Sequence, residues 1–247
     1  MTDIQKVAVF GAGVMGAGIA AQVANAGIPV VLMDIAAKDS DNPRAIAEGA
    51  IEKLPKDNPT PLMHKLGARL ITPGCIDADM DLIADCDWIV EAIIERLDLK
   101  QSLYEKIEAV RKPGSIVSSN TSTIPLSQLT EGMADTFKTD FLITHFFNPP
   151  RYLRLLEVVA GEHTRADAIA AIHRFGDHGL GKTIVPCKDT PGFIANRIGM
   201  YWLQCGVVRA MDEGLTIEEA AVVMCRPAGL PKTGIFGLPA IVGTNLL

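Results

Sequence analysis

The sequence predicts an α/β fold: a doubly wound, mostly parallel sheet followed by the start of a second, all-helical domain. Three observations carry this expectation. A short apolar run, Lys6-Val7-Ala8-Val9-Phe10, passes through Gly11-Ala12-Gly13-Val14-Met15-Gly16 straight into helix formers from Ala17 to Ala26. Strand-like and helix-like stretches then alternate as far as Pro186. Beyond Lys188 the strand pattern stops and only helical signals remain, which places the domains at 1–188 and 189–247.

Taken in order, a second apolar strand runs from Ile28 to Met33 and ends in Asp34. Residues 36–72 are polar and interrupted by Pro43, Pro55, Pro59 and Pro61, with one helix expected from Ala45 to Leu54 and a second from Pro61 to Leu70. A segment of this length inside a nucleotide-binding fold is more often functional than idle. Strand signals return at Trp88–Ile94, followed by an amphipathic helix, Asp98–Val110. Ser115–Ser119 is a short strand ending in Asn120-Thr121-Ser122-Thr123. Phe141–Thr144 is another, leading into His145-Phe146-Phe147-Asn148-Pro149-Pro150. Leu153–Val159, a helix from Ala166 to Leu180, and a last strand at Thr183–Pro186 complete the pattern.

In the second domain, Thr190 is placed to cap a helix with Pro191 at its first position, running through Phe193, Asn196 and Trp202 to Met211. Gly214 ends it, and Thr216-Ile217-Glu218-Glu219 reads as a capping box that opens another helix. Asn245-Leu246-Leu247 offers no terminal element, so the chain is read as part of a longer protein.

The glycine pattern gains its weight from context. Strand, GxGxxG, helix and second strand are followed by a carboxylate ~20 residues beyond the glycines, which is the dinucleotide fingerprint of a Rossmann-type sheet. Gly11 permits the tight turn, Gly13 lets backbone approach a pyrophosphate, and Gly16 lets the helix pack close. The helix N-terminus then faces the phosphates. Asp34 accepts hydrogen bonds from a ribose 2′-hydroxyl and repels a 2′-phosphate, which favours NAD over NADP. The bland alternative is a phosphate-free turn in another α/β domain.

A net charge of −6 and the absence of a basic stripe argue against a nucleic-acid partner. Cys75, Cys86, Cys187, Cys205 and Cys225 are odd in number and widely spaced, forming neither a metal-type pair nor a disulfide framework; no metal site is expected. Reduced thiols in a cytoplasmic setting are the simplest account. No apolar run approaches the ~18 residues of a membrane span. In such a sheet ligands bind at the carboxyl ends of the strands, where Glu95, Asn120–Thr123, His145 and Asn148 gather.

These residues resemble the L-3-hydroxyacyl-CoA dehydrogenase family. The likeness covers nearly the whole chain: the glycine loop, Glu91-Ala92-Ile93-Ile94-Glu95, Ser119-Asn120-Thr121-Ser122, His145-Phe146-Phe147-Asn148-Pro149, and Lys188 to Arg197. Arg151-Tyr152-Leu153, Arg226-Pro227 and Lys232–Leu238 are similar to the large bacterial fatty-acid-oxidation proteins, in which a hydratase module accompanies the dehydrogenase. Two departures stand out. The 36–72 segment, where the family holds CoA, is proline-rich and poor in lysine, leaving Lys53 and Lys56 as phosphate candidates. Ala240 stands where many members carry Asp.

The resemblance implies oxidation of the 3-hydroxyl of an acyl-CoA with NAD in β-oxidation, and a homodimer formed through the helical domain. His145 is the candidate general base, because imidazole titrates near neutral pH and can both accept and return a proton. Its alternative is a structural histidine at a strand end. Glu157 lies inside an apolar strand, where an unpaired carboxylate costs several kcal/mol, so it needs a partner: His145, or else Arg151 or Arg154. Ser122 and Asn196 match the family's groups on the substrate oxygen, their bland readings being a turn residue and a helix-surface amide. Asn148 and Glu95 match its nicotinamide and ribose contacts, with Asn120 beside the cofactor and Lys100 a basic residue near it. His64, His163, His173 and His178 read as surface groups, and Trp88 and Trp202 as packing. Two rival readings stay open: a related β-hydroxyacid or gulonate-type dehydrogenase, and a catalytically weak NAD-binding fragment.

Overall fold

The computed structural model describes residues 3–224, Pro227 and 234–236. Cys225, Arg226, Ala240, the terminal Asn245-Leu246-Leu247 and most of Lys232–Leu238 lie outside the described residues. The chain divides after Thr190 into two compact units.

The first unit opens with β1 (Val7–Phe10), α1 (Val14–Asn25) and β2 (Val30–Asp34), continues through α2 (Ala45–Lys53) and a 3₁₀ turn at Lys65–Leu70, and reaches β3 (Ile71–Cys75). It goes on with β4 (Trp88–Glu91), α3 (Leu97–Val110), β5 (Ile116–Ser119), α4 (Leu126–Leu129) and α5 (Asp135–Asp140). β6 (Phe141–Phe146), β7 (Leu155–Ala160), α6 (Ala166–Arg174) and β8 (Thr183–Cys187) complete it. The strands form one sheet in the order β3-β2-β1-β4-β5-β6-β7-β8. Every neighbouring pair is parallel except β6 with β7, which is antiparallel. Strand order reverses between β1 and β4, and a doubly wound sheet opens its ligand crevice at such a switch point.

The packing explains the sequence pattern. β1 and β4 are buried on both faces, so they read as continuous apolar runs rather than alternating ones. α1 presents Ala17, Ala20, Ala21 and Ala24 to the sheet, and these small side chains bring it close to Val7, Val9 and Leu32. On the other side Tyr104, Phe137 and Phe141 pack with ring centroids 5.3–5.4 Å apart.

Several expectations need correction. β3 is not expected from the sequence: it begins at the last two residues of the 36–72 stretch and carries Pro73, which a strand at the edge of the sheet tolerates. A Cβ on Gly74 would sit 2.3 Å from the Met33 sulfur, so a larger residue there would have to displace that side chain. β4 stops at Glu91, and Ala92–Arg96 is loop. α6 ends at Arg174, where a π turn over Phe175–Gly179 brings Gly176 against Ile184. α4 and α5 fill a stretch that carried no strong pattern.

In the second unit α7 (Ala195–Asp212) starts later than the proline pattern suggests, because Gly192 and Phe193 take positive φ values of 72° and 46° that no right-handed helix contains. Gly214 follows it at φ 66°, closing the helix as expected. α8 (Ile217–Met224) opens with the capping box intact: the Thr216 N–H donates to Glu219 Oε2 at 2.9 Å and the Glu219 N–H to Thr216 Oγ1 at 3.2 Å. Leu203, Ala210, Ala220 and Ile235 form this unit's small core, with Trp202 packed beside it. No described helix is long and apolar enough to cross a membrane.

Candidate active site

The turn after β1 is built from backbone. Gly11 has φ 97°, and a Cβ on it would lie 2.6 Å from the Ala92 carbonyl at the end of β4. A Cβ on Gly16 would lie 1.7 Å from the Gly11 carbonyl oxygen, so the turn and α1 meet at a distance only glycine allows. Gly13 differs: nothing stands within 4 Å of its Cβ position, which opens onto the cleft. It caps α1 without a side-chain hydrogen bond, and the first turn holds no acid, so the orphan N–H groups of the helix stay open to an anion.

Asp34, at the end of β2, receives the Ala12 N–H on Oδ2 at 2.5 Å and the Ile35 N–H on Oδ1 at 2.7 Å. The carboxylate is fixed at the rim, and each oxygen keeps a lone pair for a further donor. Beside it a cleft of about 410 Å³ is walled by Ile35, Ile76, Ile93, Ile94 and Leu99, with Gly11, Gly13 and Asp34 at its mouth. An apolar slot beside a fixed carboxylate and an open helix N-terminus fits the adenine, ribose and pyrophosphate of NAD in that order.

The loop after β4 rests on a buried ion pair. Glu91 is fully buried and accepts from Lys100 Nζ at 2.6 Å, the Tyr104 hydroxyl at 2.7 Å, the Ser119 hydroxyl at 2.6 Å and the Ile93 N–H at 2.8 Å. Burial and the Glu91 charge push the Tyr104 phenol well above its ordinary range, so it stays a donor. Lys100, 1% exposed, bridges from Glu91 to Glu95 at 3.1 Å instead of projecting into the cleft. Glu95 accepts from the Thr121 hydroxyl at 2.5 Å and the Ser122 N–H at 2.9 Å. Burial raises its carboxyl, but the Lys100 ammonium and these donors outweigh it and hold the group below its ordinary value. Asn120 donates its N–H to the Glu91 carbonyl at 2.7 Å and accepts the Phe146 N–H at 2.9 Å, tying β5 to β6.

His145 lies within β6, not after it, directly opposite Glu157 of antiparallel β7. Residues so paired project on one face, and His145 Nδ1 lies 2.8 Å from Glu157 Oε2. His145 is 5% exposed and Glu157 not at all. A carboxylate has only acceptors, so Nδ1 carries the proton and Nε2 is left as the basic nitrogen. Arg151, one of the two rival partners, goes elsewhere: Nη1 donates to the carbonyls of Thr60 and Leu62 at 2.7 and 2.8 Å.

A second cleft, about 490 Å³, is bounded by the glycine loop from Ala12 to Val14, by Lys53, Leu54 and Asp57 at the end of α2, and by Asn148–Arg151. It thus brings together Gly13, Asn148 and Lys53 from the sequence expectations; Lys56 is exposed and does not line it. Val14 is 73% exposed at its rim, and Met15 is partly buried. Ser122 is half-buried on the loop after β5, while Asn196 belongs to α7 of the second unit. His64, His163 and His178 are exposed and His173 half-buried. Among the described residues no cluster could hold a metal ion.

Sequence reasoning missed Glu91 and Lys182 as structural parts of this site, and offered Arg151 only as a partner for Glu157. An acid in the middle of the apolar Trp88–Ile94 run was a readable signal for Glu91. Arg151 and Lys182 bind backbone carbonyls far along the chain, and no residue pattern announces those partners.

The family model for the NAD binding domain of 3-hydroxyacyl-CoA dehydrogenase matches residues 6–190. A Rickettsia felis protein named as a fatty acid oxidation complex trifunctional enzyme is 45% identical over 99% of this chain, which spans 34% of that protein's length. A Deinococcus radiodurans protein named as a 3-hydroxyacyl-CoA dehydrogenase is 43% identical over 99% of the chain, here covering 70% of the relative. Among solved structures, (S)-3-hydroxybutyryl-CoA dehydrogenase PaaH1 of Ralstonia eutropha is similar with a TM-score of 0.79 at 28% identity, covering 99% of this chain and 84% of that one.

Proposed function

From the premise that the chain belongs to the 3-hydroxyacyl-CoA dehydrogenase family, with its NAD-binding domain at residues 6–190, we propose that it oxidises the 3-hydroxyl of a (3S)-3-hydroxyacyl-CoA to the 3-keto group in fatty-acid β-oxidation. The single observation that carries this reading is the buried His145–Glu157 pair at 2.8 Å on the sheet that also bears the glycine turn.

In this reading His145 Nε2 takes the proton of the substrate hydroxyl. Glu157 fixes the ring's tautomer and orientation and stabilises the imidazolium that results. NAD, when bound, accepts the hydride from the carbon that carried the hydroxyl. Asp34 holds the adenosine ribose, and the N–H groups at the start of α1 hold the pyrophosphate. Ser122 donates to the substrate oxygen, and Asn196 is assigned the same task from the helical unit. Asn148 and Glu95 face the nicotinamide riboside, while Lys100 and Asn120 act indirectly by fixing Glu95 and the end of β6. Lys53, at the second cleft, is favoured over Lys56 for the CoA phosphates.

The helical unit is read as a substrate and self-association domain working in the cytoplasm. Its α7 exposes Ile198, Tyr201, Val208 and Met211 at 53–74%, more apolar surface than one helix in water normally shows. Light scattering reads that association. The activity is tested by following NADH consumption with acetoacetyl-CoA, with free acetoacetate and a gulonate-type substrate in parallel. Turnover of the thioester alone supports the reading. Turnover of a free acid alone favours the β-hydroxyacid branch, and NADH binding without turnover favours a silent module.

A further inference from the structure

Lys182, the residue immediately before β8, is 2% exposed, and no carboxylate pairs with it among the described residues. A buried ammonium costs several kcal/mol unless its donors are satisfied. The groups that satisfy it are the backbone carbonyls of Pro150 and of Leu153, the latter at 2.8 Å, with the Phe146 ring 5.7 Å away. Both carbonyls belong to the turn that leaves β6, beyond the reach of any sheet ladder. Two of the turn's own N–H groups are already spent: those of Tyr152 and Leu153 both donate to the Pro149 carbonyl, at 3.0 and 3.1 Å.

From the opposite side, α1 presses on the same turn. A Cβ on Gly18 would come 2.9 Å from Pro150 Cδ, so helix and proline are in close contact. The turn is thereby clamped between the glycine-loop helix and a buried cation, and it carries Asn148 into the cleft that Gly13 also lines. Lys182 does not line that cleft and touches no part of it except through the turn.

We propose that Lys182 is a positioning residue for the nicotinamide end of the site: its ammonium, held by the Pro150 and Leu153 carbonyls, fixes the turn that presents Asn148. The inference rests on the reading of Asn148 as a cofactor contact. Removing the ammonium leaves the buried Pro150 carbonyl and the part-buried Leu153 carbonyl without this donor, and the turn loses its support on that side. Asp34 lines the other cleft, whose walls include neither Asn148 nor Pro150.

The test compares NADH with ADP-ribose, which lacks the nicotinamide. Calorimetry on Lys182→Met should show NADH bound roughly tenfold more weakly, as expected from loss of a charged hydrogen bond. ADP-ribose affinity should stay within about twofold, on the same arithmetic. In the Lys182→Met background, Asn148→Ala should then have little further effect on NADH, because both act on one contact. Lys182→Gln, which keeps two donors on a shorter stem, is the milder variant and should fall between. Equal weakening of both ligands, or unchanged NADH affinity in a folded variant, overturns the positioning role, as do additive effects in the double variant. Failure of the unsubstituted protein to bind ADP-ribose would instead remove the cofactor reading and the proposal with it.

Discussion

The cofactor half of the rim, at the ends of β1 and β2, and the proton-transfer half, on β6 and β7, are built from different materials. The first is backbone: three glycines, the open N-terminus of α1, and one carboxylate pinned by the N–H groups of Ala12 and Ile35. The second is a side-chain pair, buried on both members and set by antiparallel register. Backbone sites bind a fixed shape and have little chemistry of their own. A paired imidazole has chemistry but needs a rigid frame to aim it. The two halves should therefore fail separately when altered.

The largest effect is expected at the pair. His145→Gln should lower turnover with acetoacetyl-CoA by ~10²–10⁴, the usual worth of a general base, with NADH affinity unchanged. Glu157→Gln should cost less, and the double variant little more than His145→Gln alone, since the two act as a unit. Steady-state rates and NADH titration together check this. Loss of NADH binding in His145→Gln would mean the halves are not separable.

The glycines come next, and they sharpen the contrast within one turn. Gly16→Ala forces a Cβ to 1.7 Å from the Gly11 carbonyl, so the loop must move. Overpacking of this kind costs ~1–3 kcal/mol or more, which should lower both melting temperature and NADH affinity, the latter by about tenfold or beyond. Gly13→Ala meets nothing within 4 Å. It should leave the melting temperature of the ligand-free protein unchanged while weakening NADH, because the space it fills is the ligand's. A parallel loss of stability in both variants would break the distinction.

Asp34→Ala follows. Losing charge-assisted hydrogen bonds of ~1.5–3 kcal/mol should weaken NAD by one to two decades. The preference over NADP should shrink in the same variant, as the repulsion of a 2′-phosphate goes with the carboxylate. Paired calorimetric titrations read both numbers.

How much of this was legible in the sequence follows the same division. The cofactor half is local: strand, glycines, helix and Asp34 lie within one short stretch, and their spacing alone locates them. The His145–Glu157 pair is not local in the same sense, yet it was readable because an acid inside an apolar strand demands a partner. What the residues did not announce is geometry set by distant backbone. β3, with Pro73 and Gly74 among its five residues, shows no strand-like pattern, and only its place at the sheet edge explains how it pairs. Lys100 looked like a cofactor contact, but its length takes it back under the loop to Glu91. α7 begins at Ala195 because two positive φ angles precede it, which Pro191 did not reveal.

The smallest expected effect lies where the two halves meet. Glu95 receives the Thr121 hydroxyl and the Ser122 N–H from the loop after β5 and pairs with Lys100 at 3.1 Å. Burial alone would raise its carboxyl, which would make the folded state shed stability as pH rises past the ordinary carboxylate value of 4.5. The Lys100 charge and the two donors reverse that, and the folded-state value lies below 4.5. The sign is then fixed: the ionised group's contribution is complete above pH 4.5 and is lost as pH falls through the lower, folded-state value. With 36% of its side chain exposed, solvent screens the interaction and the contribution stays modest. Melting temperatures of the protein and of Glu95→Gln should therefore differ by a small constant amount from neutral pH down to about 5, and converge only at more acid values. Convergence already between pH 7 and 5 would mean that burial wins over Lys100, and that the link between the two halves rests on Asn120 instead.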